Sequence, residues 1–290
     1  MLPKPTMEIA MNLMRLTTIC LLACTAAVHA DNRKLAEVLT AQPAETQTRY
    51  YFRHPAETLS WLGIEPGMTV MEALPGGGWY SKILLDYLGP DGHLVGVDYN
   101  QSMFPKFGFV SAERIKAKET WAADWTADAQ SWGGAESASI SAFTFGTMPD
   151  SFHGKADAVL LVRALHNLAR FRADGYLDTA LKDSVAALKP GGILGVVQHE
   201  AREDKDDAWA SGPRGYLKKS FVIEQMQAAG LEYVGSNNIN QNPADQPGAD
   251  DMVWRLPPSL STSREDPELR VQMQSIGESN RMTLKFRKPK

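Results

Sequence analysis

Cysteine is what this chain has least of. There are two, Cys20 and Cys24, and both fall within the first 30 residues. If that stretch is removed, the remainder has none. That excludes disulfides, a thiolate zinc site and a cysteine nucleophile together, and it suits an oxidising compartment. Positive charge is not in excess either. The formal net charge is −4, so the chain offers no basic field to nucleic acid. The basic run from Lys285 to Lys290 reads as a solvated strand end. No apolar run reaches the roughly 20 residues that a membrane-spanning helix needs. The five histidines beyond residue 30 have no metal-site spacing, so no metal is expected. No internal repeat is visible.

The N-terminus has the pattern of a targeting segment. Arg15 precedes an apolar run from Leu16 to Val28, and Val28-His29-Ala30 ends it with small residues at the cleavage positions. Cleavage after Ala30 would make Asp31 the first mature residue and export the protein, most simply to a periplasm. Leu21-Leu22-Ala23-Cys24 supports a second reading, a lipoprotein anchored at Cys24. Glu8 sits badly in a positive leader, and Met11 or Met14 makes a better start.

Residues 31–290 read as one domain. Its first part, 31–66, carries short helices at Lys34–Leu39 and Ala56–Leu62, the second with Pro55 at its start and Gly63 past its end. Between them Arg49-Tyr50-Tyr51-Phe52-Arg53-His54 is either a packing segment at a sheet edge or a lid. Strands and helices then alternate. Strands are expected at Thr69–Ala73, Leu94–Val97, Ser139–Phe145, Ala156–Val162, Ile193–Gln198, Leu231–Gly235 and Arg281–Arg287. Helices are expected at Trp79–Leu88, Phe109–Thr120, Gly175–Leu188 and Ser220–Ala229. Trp121–Gly134 reads as an irregular loop, and 239–277, rich in Pro, Asn, Asp and Ser, as an irregular excursion. Alternation of this kind specifies an α/β fold with a doubly wound, mainly parallel sheet and helices on both faces.

The chemistry is expected at the carboxyl ends of the strands. Glu72 ends the first strand, and Gly76-Gly77-Gly78 forms a turn in which the backbone can approach a ligand and adopt positive φ. The helix from Trp79 aims its free N–H groups at the same place. Asp98 ends the second strand about 20 residues after the turn, where it can accept hydrogen bonds from ribose hydroxyls. A glycine turn alone is a weak sign. With the strand, the helix and Asp98 it indicates an adenosine-bearing cofactor. Further along, Arg163 and His166 follow the fourth strand and His199 the fifth. The histidines suit proton removal at neutral pH, or they cap and pack. Arg163 either orients an anionic substrate or pairs with Glu72 or Asp98.

Several segments taken together carry a family likeness. They are Glu72-x-x-Pro75-Gly76-Gly77-Gly78-Trp79-Tyr80, Gly96-Val97-Asp98, Ala156 to Leu168, Leu188-Lys189-Pro190-Gly191-Gly192 and Leu284-Lys285-Phe286-Arg287-Lys288-Pro289. This series resembles the class I S-adenosylmethionine-dependent methyltransferases, in particular a bacterial subfamily, often exported, with a late Asn-Pro-Ala-Asp segment like Asn242-Pro243-Ala244-Asp245. The resemblance implies a seven-stranded sheet of order 3-2-1-4-5-7-6 with the last strand antiparallel. It also implies S-adenosylmethionine as cofactor, held by Glu72, Gly76, Gly77, Gly78 and Asp98, and methyl transfer to a small molecule. Two positions depart from the family. Leu74 stands where the loop's first glycine is usual, and Phe145-Gly146-Thr147-Met148 offers no carboxylate near the adenine. Phe145 covers the adenine or belongs to the core. An exported non-catalytic binding protein and a nicotinamide-dependent oxidoreductase are the competing readings.

Overall fold

The computed structural model describes residues 33–290. The expected leader and its cleavage site lie outside the described residues.

A helix through residues 33–41 (α1) leads into α2 (Ala44–Gln47), α3 (Tyr50–Arg53) and α4 (Pro55–Leu62). Pro55 occupies the first turn of α4, and Gly63 closes it in the left-handed conformation at φ 80°, as their positions in the sequence imply. The sheet is built from β1 (Thr69–Ala73), β2 (His93–Asp98), β3 (Ser139–Thr144), β4 (Ala156–Val162), β5 (Leu188–Ala201), β6 (Leu217–Lys218), β7 (Glu232–Asn237) and β8 (Arg281–Arg287). The helices between the strands are α5 (Trp79–Leu88), α6 (Ala112–Lys116), α7 (Trp121–Gln130), α8 (Leu165–Arg170), α9 (Tyr176–Ala187), α10 (Lys219–Ala228) and α11 (Pro267–Ile276).

The strand order is β3-β2-β1-β4-β5-β8-β7, with the short β6 beside the end of β5. Strands β1 to β5 run parallel, while β8 lies antiparallel to both β5 and β7. Apart from β6 this is the expected order. Alternation across the sheet explains the continuous apolar runs. Val70, Leu94, Ala158 and Leu160 pack on one face with Ile83 and Leu84 of α5. Met71, Val95, Val159 and Leu161 pack on the other with Leu177 and Leu181 of α9. Strands covered on both faces have no polar side to alternate with.

Three segments differ from expectation. The single helix expected over Phe109–Thr120 is broken. A 3-10 turn at Gln101–Phe107 ends at Gly108 with φ 75°, and only the five-residue α6 follows, capped by Ser111. The expected loop at 121–134 contains α7. Its Trp121, Trp125 and Ala129 fall four residues apart on one face, and Trp125 and Ala129 are buried. Gly96 makes room for that face, since a Cβ there would stand 2.5 Å from the Trp125 ring. The 239–277 excursion is not wholly irregular. It contains α11, begun by Asp266, whose carboxylate accepts from the Leu269 N–H at 2.9 Å, and by Pro267. The basic C-terminal run is partly engaged in tertiary bonds. Lys288 Nζ donates to Val185 and Leu188 carbonyls at the end of α9, and Lys285 Nζ to that of Trp61.

Candidate active site

A cavity of about 830 Å³ opens at the carboxyl ends of β1 and β2. Its floor is Leu74, Gly76 and Asp98. Tyr99, Phe104, Phe107 and Trp121 give it aromatic walls, and His166, Asn167, Arg170 and Trp254 close the far side.

The turn after β1 is held from both ends. The Leu74 N–H donates to the Val97 carbonyl at 2.7 Å, and the Gly78 N–H to that of Pro75 at 2.9 Å. Leu74, in place of the usual glycine, nonetheless takes the glycine-like conformation, with φ 57°. That conformation costs a side-chain-bearing residue roughly 1–2 kcal/mol. Gly76 also has positive φ, at 55°, and lines the cavity. Gly77 is exposed and touches nothing near its Cα. Gly78, with φ 76°, caps α5, and a Cβ there would fall 2.4 Å from the Trp132 ring. Gly76 therefore serves the cavity, whereas Gly78 serves the packing of α5 against Trp132.

The two acids part company. Glu72 is buried away from the cavity and accepts a 2.6 Å hydrogen bond from Ser81 Oγ in the first turn of α5. Burial raises its carboxyl to about 7, against the bond from Ser81. Asp98 does line the cavity. Its Oδ1 accepts from the Tyr99 N–H at 2.8 Å, and its Oδ2 pairs with Lys118 Nζ at 2.6 Å. Burial pushes this carboxyl up and Lys118 pulls it back, with burial prevailing. Lys118 also lies over the Phe104 and Trp121 rings. Phe145 is core, 1 % exposed and packed in the cluster on the α9 side of the sheet.

The structure brings the two histidines together. Their ring centroids are 5.7 Å apart. His166 faces the cavity, with Trp254 edge-on at 5.7 Å and Gln198 Nε2 3.5 Å from its Nδ1. His199 stands behind it, its Nδ1 2.6 Å from Ser279 Oγ. Burial depresses His166 to about 4, with Arg163 adding to the effect. His199 is held well below the ordinary range by burial, then by His166, Arg281, Arg163 and Arg53. Both rings are neutral at pH 7.

Arg163 bonds to neither Glu72 nor Asp98, whose partners are Ser81 and Lys118. It takes φ 57°, and its N–H donates to the Val197 carbonyl at 2.7 Å. Its guanidinium feels Arg281, Glu278, Arg49 and Arg53. Around Glu278, Arg49 Nε bonds at 2.7 Å and Arg53 Nε at 3.3 Å, and Arg281 Nη2 completes the group. The Asn242-Pro243-Ala244-Asp245 segment shapes this corner. Asn242 Nδ2 donates to the Ile276 and Glu278 carbonyls, and Asp245 accepts from Tyr216, Arg255 and the Asn280 N–H. None of Glu278, Arg281, Lys118, Asn167 or Trp254 was singled out from the sequence. One available signal was Arg49 and Arg53, four residues apart and so on one helix face.

No protein-family model and no curated protein sequence matches the chain. Many solved structures do. A [4+2]-cyclase, SpnF, is similar over 82% of this chain and 80% of its own, at 17% identity and a TM-score of 0.50. Geranyl diphosphate methyltransferase in complex with S-adenosylmethionine is similar over 83% and 86%, at 15% identity and a TM-score of 0.50. A SAM-dependent methyltransferase from Aquifex aeolicus is similar over 71% and 93%, at 15% identity and a TM-score of 0.46. The chain has the Rossmann-like methyltransferase fold. At these identities the likeness fixes the fold, and the reaction depends on the site.

Proposed function

We propose that this chain is an exported enzyme that moves a methyl group from S-adenosylmethionine to a small-molecule acceptor. The observation that carries the reading is the cavity bounded by Leu74, Gly76 and the buried carboxylate of Asp98. Its residues fit the cofactor. Asp98 is placed for ribose hydroxyls, the Gly76 and Gly77 amides are free of acceptors among the described residues, and Tyr99 and Phe107 give the cavity an aromatic wall for a base. Bound there, the cofactor supplies an electrophilic sulfonium methyl, so most of the driving force is its own. The chain has to align the acceptor and keep water out. His166 and Asn167 reach the cavity from the start of α8. Neutral at pH 7, His166 can accept a hydrogen bond from an acceptor O–H or N–H, but with its basicity pushed down to about 4 it is a weak base. The assigned role is therefore orientation of the acceptor, with His199 fixing His166 from behind.

Titration calorimetry with S-adenosylhomocysteine tests the reading. Binding is expected, and Asp98→Ala should weaken it by roughly 1–3 kcal/mol. Absence of both heat and thermal shift at millimolar ligand would sink it. Export rests on the leader pattern and on the lack of cysteine beyond residue 24. A secreted form whose mass begins at Asp31 would support it, and a full-length cytosolic protein would not. A second reading is a binding protein that keeps the fold for another ligand. Pro75 supplies no amide, and Lys118 already holds Asp98. A different metabolite retained by the protein purified from its own compartment would decide for that reading.

A further inference from the structure

Beside the cavity lies a corner in which donors outnumber acceptors. Arg49, Arg53 and Arg281 all bond to the one carboxylate of Glu278. Arg163, from the end of β4, joins their field, yet its guanidinium has no hydrogen bond or ion pair among the described residues. Arg53 lies 4.4 Å over the Trp79 ring, and the buried Trp79 Nε1–H likewise has no acceptor. Four guanidiniums face one carboxylate. Uncompensated charge inside a protein is expensive unless something pairs with it. The cluster also tells on its members. Burial and then Arg163 lower Arg53 to about 9, and burial and then Arg281 lower Arg163 to about 10. Glu278 is driven the other way, to about 2: burial raises it, but the arginines outweigh burial.

The corner adjoins the cavity. His199 pairs with Arg281 across β5 and β8, and stands between Ser279 and the cavity-facing His166. Arg49 keeps a quarter of its side chain exposed, and Arg163 is only half-buried, so both remain within reach of a solute. Guanidiniums present paired N–H donors that match the oxygens of a carboxylate or phosphate.

We propose that Arg163, with Arg49 beside it, forms an oxyanion subsite that holds a carboxylate or phosphate group of the acceptor. It rests on the methyl-transfer reading only for the word acceptor, because anion binding is measurable without the cofactor. The acceptor is then an anionic small molecule. Its charged end sits at the arginine corner, and its reacting atom lies in the cavity beside His166.

The test is thermal denaturation of the whole chain, titrated with inorganic phosphate or succinate at constant ionic strength against chloride. A saturable rise in melting temperature is expected. Arg163→Gln should raise the melting temperature of the ligand-free protein, because it removes an unpaired charge. It should also weaken anion binding about tenfold or more, the weight of lost charge-assisted hydrogen bonds. Arg163→Lys should retain part of the response, and Arg202→Gln, an exposed control, all of it. The proposal is overturned by a flat anion response, by an Arg163→Gln protein that responds as before, or by one that melts lower without ligand. The last result would make Arg163 structural. Phosphate and S-adenosylhomocysteine should bind together. Mutual exclusion would place the anion on the cofactor's own carboxylate and overturn the assignment to the acceptor. Loss of S-adenosylhomocysteine binding with the anion response intact would sink methyl transfer and leave the subsite standing.

Discussion

Leu74 follows β1 and Arg163 follows β4, the parallel strand beside it. Both take φ 57°, and each donates its N–H to a valine carbonyl on the next strand outward, Val97 or Val197, at 2.7 Å. The backbone does the same thing twice, and the surroundings differ. Leu74 opens on a largely apolar cavity in which Asp98 is paired with Lys118, and Arg170 and Arg264 stand elsewhere on its lining. Arg163 opens on a corner in which one carboxylate bonds three guanidiniums and Arg163 has no partner among the described residues. A strained turn at a strand end supplies a place for function, and the charges gathered around it decide what that place can bind. The first suits a ring-bearing ligand with hydroxyls for Asp98 and the second an anion.

The strongest way to break this contrast is to remove the one acid in the corner. Glu278→Gln should destabilise the protein by roughly 3–5 kcal/mol at pH 7, the cost of leaving buried charges without their partner. Urea unfolding reads this, and added phosphate should restore part of the loss. The pH dependence has a definite sign. The Glu278 carboxyl is lowered in the fold, so its contribution is present above the ordinary glutamate range and fades as pH falls from about 4.5 to about 2. The variant should lose that part of the pH dependence.

Glu72 behaves oppositely. Its carboxyl is raised to about 7, so the fold favours the protonated form, and its contribution is lost as pH rises from about 4.5 to about 7. Glu72→Gln keeps a group for Ser81 to bond and removes the buried charge. It should stabilise the protein by roughly 2 kcal/mol at pH 8 and change little at pH 4. Stability curves at the two pH values check this.

The smallest effect sharpens the comparison most. Lys118→Met removes a partly exposed partner of Asp98 and should cost under about 1 kcal/mol in stability. Freed at Oδ2, Asp98 should then bind S-adenosylhomocysteine more tightly, while the phosphate response stays unchanged. If both responses move together, the two regions are one site.

Much of the fold was legible because it depends on local rules. The apolar runs at 70–73 and 156–162, the glycine turn, and Pro55 with Gly63 gave the strands, the turn after β1 and the bounds of α4. Where reading failed, local and tertiary signals disagreed. Tryptophan at 121 and 125 looked like loop composition, yet the two rings stack on one helix face that fits over Gly96. The site was half legible. Asp98 and His166 line the cavity, whereas Glu72 turns inward to Ser81 and His199 stands one layer back.

The sequence by itself determined the α/β alternation, the chain order of the strands and the placing of Gly76 and Asp98 at strand ends. Periodicity, glycine conformation and helix starts act over a few residues and are written in order along the chain. Only the tertiary structure decided the charge around the site. Arg49 and Glu278 are 229 residues apart and bonded, Lys118 returns over 20 residues to cover Asp98, and Arg163 is left without a partner among the described residues. Ion pairing depends on distance and burial in three dimensions, and sequence separation carries no record of either.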